Sequence, residues 1–238
     1  MKRALALLAL LALAASCGKA PAKDRPAAEL GRELFESREL SSSSYNRFSC
    51  ATCHSTEATP ATDHVYPGGT LFDSANRPSW YLGYSLQYLD AVNFCLLYFM
   101  RGEAIQPGDP DGDALYEYLA SISPDPAPPA ATYTFVRSIT GLPPGSATAG
   151  KTVFDRACRV CHGDKDSGAG RISPETTILN QQLSTDYDTL FPGTDHNVVV
   201  SEKVRHGQFY GIGGNMPFFS EEKLSDTELS DLEAYLGL

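Results

Sequence analysis

Of the 238 residues, 29 are acidic and 19 basic, giving a formal charge of −10. Removing a leader that carries Lys2 and Arg3 takes 19 basic residues to 17, and the charge to −12. This balance excludes a nucleic-acid binder, whose affinity is built on neutralising phosphates; it also means that a basic partner would gain from electrostatic steering.

The chain opens on a short positive stretch, Met1-Lys2-Arg3, followed by an apolar run of Ala and Leu from Ala4 to Ala15. Twelve apolar residues are too few for a permanent membrane helix, so the segment reads as a removed export signal. Leu13-Ala14-Ala15-Ser16-Cys17 resembles the lipobox of bacterial lipoproteins. The resemblance implies that residues 1–17 are signal peptide and lipobox, and that Cys17 becomes the lipidated first residue. The alternative, ordinary cleavage near Ser16, leaves Cys17 as a free thiol. Gly18-Lys19 carries no aspartate of the kind that retains lipoproteins in the inner membrane, which favours the outer membrane. Either way the chain is expected on the periplasmic side of the cell envelope. Residues 18–27, with Pro21 and Pro26, read as an extended tether.

A first unit is expected over residues 28–123. Gly31 and Phe35 are four apart, on one face of an opening helix. A polar loop, Leu40 to Asn46, leads to Cys50-Ala51-Thr52-Cys53-His54, the attachment signal for c-type haem. In this signal two thiols add across the porphyrin vinyl groups, and the adjoining histidine supplies the proximal imidazole. A zinc half-site would need further partners at matching spacing, and a dithiol redox motif does not need the histidine. His64 is an alternative distal ligand, with a surface loop position as the default reading. The aromatic run Trp80 to Phe99 is expected to line a haem pocket and core. A helix is expected from Tyr88 to Arg101 and carries Cys95 and Met100. Five residues apart, they are separated by about 140° around a helix, so one of the two is expected to face iron. A closing helix contains Tyr118-Leu119.

Residues 124–145 form the expected linker. Ser123 to Pro129 is too proline-rich for a helix; Thr132 to Ile139 has β-type composition, and Pro143-Pro144-Gly145 closes the connection.

A second unit over residues 146–238 repeats the plan with Gly150, Phe154 and Tyr235-Leu236. Its haem motif is Cys158-Arg159-Val160-Cys161-His162, so two covalently bound haem c groups are expected, with His54 and His162 proximal. A helix is expected from about Asn197 to His206, with His196 and His206 facing solvent. Met216 follows in a Gly/Pro-framed loop, Gly211 to Phe218, and Ser225 is placed to cap the last helix.

These features together resemble the small helical cytochrome c fold, mostly α, with first and last helices crossing through a Gly/aromatic contact. In that family an Asn-Met-Pro loop delivers a thioether to the sixth iron position, which implies Met216 as distal ligand of the second haem. The first unit departs from the family. Gly102 to Tyr118 is 16 positions where Gly207 to Tyr235 is 28, so the methionine loop is missing. Cys95 or Met100 is left as the distal ligand there. Asn93, Cys95, Met100 and Gly102 resemble a run in dihaem thiosulfate dehydrogenases, where the cysteine is the axial ligand of the catalytic haem. Leu34 to Ser41 resembles the approach to the first haem in bacterial dihaem peroxidases. The expectation is an envelope-anchored dihaem cytochrome c passing single electrons between redox partners. The rival is an oxidoreductase of the thiosulfate-dehydrogenase type acting on a small inorganic substrate, with catalysis around Cys95. A haem-based sensor is a third class.

Overall fold

The structure is a computed structural model that describes residues 26–136, 138–211 and 215–238. Cys17 lies outside the described residues, as do the leader and most of the tether. Among the described residues the fold is mostly α, with one isolated bridge between Trp80 and Ser85 and no strand. No helix among them is long and apolar enough to cross a membrane.

The first half comprises α1 (Ala27–Glu36), α2 (Cys50–Cys53), α3 (Tyr88–Tyr98) and α4 (Pro110–Ser121). Pro110 starts α4, where its fixed φ suits a helix and its missing N–H costs nothing. α1 crosses α4 at Gly31, where a Cβ would collide with the carbonyl of Ala114. Phe35 packs on Tyr118 at 5.6 Å beside that crossing.

The second half begins with α5 (Ala147–Val153), which runs through a π-helical turn, Phe154–Cys158, into α6 (Arg159–His162). After it come α7 (Leu179–Gln181), a second π turn, α8 (Tyr187–Leu190), α9 (His196–His206) and α10 (Asp226–Leu236). Ser225 caps α10 as expected: its hydroxyl accepts from the Glu228 N–H, and the Glu228 carboxylate accepts from the Ser225 N–H at 2.9 Å. α5 crosses α10 at Gly150, where a Cβ would strike the Asp231 carbonyl, and Phe154 packs on Tyr235 at 5.5 Å. Both halves therefore close by the same glycine-and-aromatic crossing.

Packing is uneven between them. Phe154, Tyr187, Val199, Leu229 and Leu232 anchor a large continuous core in the second half. Each contributes roughly 1.5–3 kcal/mol by burial. The smaller cluster of Phe48, Leu96 and Met100 has Cys161 and Ile172 of the second half packed against it. Val65 of the first half joins the larger core, and its N–H donates to the Arg156 carbonyl at 2.9 Å.

The linker run from Ala131 to Val136 forms no helix and pairs with no strand; it lies against both halves as a strap. Tyr133 and Phe135 line a cavity in the first half and also meet Lys223 and Phe218 of the second. The Thr134 side chain and the Val136 carbonyl join that second half from the strap as well. The Thr134 hydroxyl and N–H donate to Glu222 at 2.6 and 2.9 Å, and the Val136 carbonyl lies 2.6 Å from His206 Nε2. His206 is therefore not turned to solvent. Its Nδ1 lies 2.7 Å from Glu202, and His196 is likewise engaged, 3.1 Å from Asp188.

Candidate haem centres

The first centre is built by a loop that reads as merely polar in sequence. Asn46 donates from its amide to the carbonyls of Arg38 (2.6 Å) and Phe48 (2.9 Å), and accepts from the Phe48 N–H. Ser49 and Thr52 then cap the single turn of α2 reciprocally. This fixes Cys50 and Cys53 three residues apart on one helical face. His54 Nδ1 lies 2.9 Å from the Gly69 carbonyl, which leaves Nε2 for a metal. Gly68 is required there, since a Cβ would collide with the His54 ring.

A cavity of about 230 Å³ opens beside these residues, with an apolar wall that includes Trp80, Tyr88, Phe94, Leu96 and Phe99. Cys95 and Met100 both line it. The expectation that a helical angle would separate them fails because α3 stops at Tyr98. Phe99 is its C-cap and Arg101 has a φ of 53°, so Met100 sits past the helix and follows another geometry. His64 packs edge-on against Tyr66 at 4.2 Å and is not among the cavity's lining residues.

Burial dominates the electrostatics. It pushes the Cys50 thiol up to about 12, with Cys95 adding to the effect, and raises Cys53 further, with Cys95 and Cys161 contributing. Burial also takes Cys95 up to about 11. A thiolate at Cys95 therefore needs a nearby cation, which a bound metal supplies. No disulfide occupies any of the five described cysteines. Burial holds His54 and His162 below the ordinary imidazole range, in the neutral form a metal requires.

The second centre repeats the proximal arrangement. His162 Nδ1 lies 3.2 Å from the Thr177 carbonyl, again 15 residues onward. Cys158, Cys161, His162 and Met216 line a smaller cavity of about 30 Å³. Gly207, with φ at 77°, turns the chain out of α9 into the segment bearing Met216, whose carbonyl lies where a Cβ on Gly207 would go. The two cavities adjoin: Cys53, Pro67 and Pro217 line both.

A haem c fits the donor set on two counts. Each site combines two thiols, one correctly oriented imidazole and a sulfur donor. Arg77 Nε and Ser74 Oγ are buried without partners, and both residues line the first cavity, where propionate carboxylates would satisfy them. Sequence reasoning missed Tyr133, Phe135, Phe218 and Ser220 as lining residues of the first cavity. The alternation Tyr133-Thr134-Phe135-Val136 was the available signal for the first two.

Residues 147–237 match the family model described as Cytochrome c. A thiosulfate dehydrogenase of Psychrobacter arcticus is 25% identical over 208 residues, covering 83% of this chain and 58% of that protein. The FixP subunit of a cbb3-type cytochrome c oxidase from a Bradyrhizobium species is 29% identical over 190 residues, covering 79% and 56%. The chain thus spans little more than half the length of these relatives. Among solved structures, the thiosulfate dehydrogenase TsdBA of Marichromatium purpuratum superposes with a TM-score of 0.42 at 16% identity, over 88% of this chain and 45% of that one.

Proposed function

We propose that this chain, which carries a cytochrome c domain and hence covalently bound haem c over residues 147–237, is a dihaem electron carrier of the bacterial cell envelope. One observation carries the reading: two Cys-x-x-Cys-His motifs with matching proximal histidines open onto adjoining cavities that share Cys53 and Pro67. When bound, a haem at each site would supply one-electron Fe(III)/Fe(II) exchange, and the adjoining cavities would let the chain pass single electrons between redox partners.

The residues divide the work as follows. Cys50, Cys53, Cys158 and Cys161 attach the groups, while His54 and His162 supply proximal nitrogens aimed by the Gly69 and Thr177 carbonyls. Met216 supplies the distal sulfur of the second centre. Cys95 supplies that of the first; it is preferred over Met100 because it lines the cavity as a thiol with no disulfide partner, whereas Met100 packs with Phe48 and Leu96 in the apolar cluster. The apolar wall and the linker strap exclude water, which together with axial ligand identity sets the potential. Residues 28–123 and 146–238 form the two units, joined by 124–145. Lipidation at Cys17 would tether them on the periplasmic side, with the outer membrane preferred, and the acidic surface suits a basic redox protein.

A second reading, an oxidoreductase of the thiosulfate-dehydrogenase type, is favoured by Cys95 in the first cavity. Against it, Arg77 is the sole cationic residue among the described residues lining that cavity, which gives a dianion little to bind there.

A redox titration of the purified protein, with and without thiosulfate, separates the two. Two one-electron steps unaffected by thiosulfate support the carrier; reduction by thiosulfate supports the enzyme. In the same preparation Met216→Ala is expected to abolish the methionine-to-iron charge-transfer band at the red end of the ferric spectrum, and Met100→Ala to leave it. A band that survives Met216→Ala overturns the distal assignment.

A further inference from the structure

The segment Asn215-Met216-Pro217-Phe218 serves both cavities at once. Met216 lines the second, Phe218 the first and Pro217 both. Phe218 packs on Phe99 at 6.0 Å and on Phe135 of the strap at 5.2 Å. Asn215 does something different: it spends its whole side-chain amide on the first half. Its Nδ2 donates to the Phe99 carbonyl at 3.0 Å, and its Oδ1 accepts from Arg101 Nε at 2.7 Å. These partners flank Met100 in sequence and lie 116 and 114 positions from Asn215.

The segment gripped by Asn215 is itself tied to Cys95. The N–H groups of Phe99 and Met100 donate to the Cys95 carbonyl at 3.0 and 3.1 Å. Ser41 donates its hydroxyl to the Met100 carbonyl at 2.8 Å, and the Gly102 N–H donates to Leu96 at 2.9 Å. Arg101 holds a positive φ of 53°, a conformation that costs a non-glycine residue energy and persists where its surroundings over-determine it. Its guanidinium lies 6.0 Å from the Tyr98 ring centroid while Nε reaches Asn215. A bidentate amide therefore joins the residue preceding Met216 to the turn that ends α3.

We propose that Asn215 is a positioning residue that locks the two distal sulfur sites together, so that the Met216 loop and the Cys95–Met100 segment cannot rearrange independently. This rests on the reading of Met216 and Cys95 as distal ligands. The coupling is reciprocal by thermodynamic necessity: whatever loosens one site loosens the other. Its physical carrier is the pair of hydrogen bonds, backed by Phe218 against Phe99.

The test uses the haem-loaded full chain and resolves the two centres spectroscopically during redox titration. Asn215→Ala is expected to weaken the methionine-to-iron band and to move both midpoints, because an unclamped loop admits water to both crevices. Water lowers the Met216-linked midpoint, where the ferric form is the more highly charged, and raises that of the thiolate-ligated centre, where the ferrous form is. Asn215→Asp keeps the acceptor for Arg101 but loses the donor to Phe99, so an intermediate shift of both midpoints is expected. Arg101→Gln removes the partner from the other side and should move the Met216-linked midpoint, although residue 101 belongs to the first half. The double variant should shift no further than the larger single variant, as expected for one shared interaction. Loss of unfolding stability with the first centre's midpoint unchanged in Asn215→Ala would overturn the proposal, reducing Asn215 to a structural link. So would an unchanged Met216-linked midpoint in Arg101→Gln. If instead the band survives Met216→Ala, the ligand assignment fails, an outcome separate from either.

Discussion

The two halves share a proximal design and differ on the distal side. In each, a glycine lets the first helix cross the last, with the pairs Phe35–Tyr118 and Phe154–Tyr235 at nearly equal separations of 5.6 and 5.5 Å. In each, the motif histidine is aimed by a carbonyl 15 residues onward. The second half then has the loop bearing Met216 and a large core, leaving about 30 Å³ beside its motif. The first half lacks that loop and opens a cavity of about 230 Å³. Its closure is borrowed: Tyr133 and Phe135 come from the linker, Phe218 and Ser220 from the other half. Removing a loop from one copy of a repeat therefore leaves the helix crossing intact and makes that copy's pocket depend on its neighbour.

The largest test of this contrast is Cys95→Ala. A thiolate stabilises ferric iron, so the first centre should have much the lower potential in the wild type. The substitution should raise that potential and change that centre's spectrum, while the Met216-linked centre titrates as before. If both centres titrate together at high potential in the unaltered protein, the thiolate assignment is lost.

Next in size come the shared crossings. Gly31→Ala and Gly150→Ala each place a methyl against a backbone carbonyl, of Ala114 and Asp231. Overpacking of this kind costs about 1–3 kcal/mol, read as a lower unfolding midpoint. Similar losses in the two variants would confirm a common design; an undamaged Gly31→Ala would show the first half to be the more adaptable.

The smallest effect belongs to the strap. Desolvation would raise the Glu222 carboxyl, but hydrogen bonds, foremost those from the Thr134 hydroxyl and N–H, outweigh it and bring the group to about 2. A depressed carboxyl stabilises the folded form above its ordinary value near 4.5, and that contribution is lost as pH falls toward about 2. Glu222→Gln should therefore cost stability at neutral pH, about 0.5–1 kcal/mol for an exposed pair of bonds. The gap from wild type should narrow as pH falls through that window, followed by denaturant unfolding. A gap independent of pH would assign the effect to something other than the carboxylate.

Much of this was legible because it is local. Cys-x-x-Cys-His needs one helical turn, so Cys50, Cys53, His54 and Cys158, Cys161, His162 declare themselves at fixed spacing. The Gly31/Phe35 and Gly150/Phe154 faces follow from helical periodicity, and Ser225 with Glu228 is a cap readable three residues apart. Helix ends were less legible: α3 stops at Tyr98 rather than Arg101, which brings Cys95 and Met100 to the same cavity. The β-like composition of residues 132–139 suggested a strand, yet the described part up to Val136 pairs with no strand and lies between the halves as a strap.

By itself the sequence determined the spacing of the two Cys-x-x-Cys-His motifs, the repeated glycine-and-aromatic pairs and the shorter run from Gly102 to Tyr118, since each is a matter of residue types at short separation. Only the tertiary structure decided what closes the first cavity and that Asn215 grips Phe99 and Arg101. Those contacts join residues more than a hundred positions apart, and they form only after two helix crossings have fixed where each segment lies.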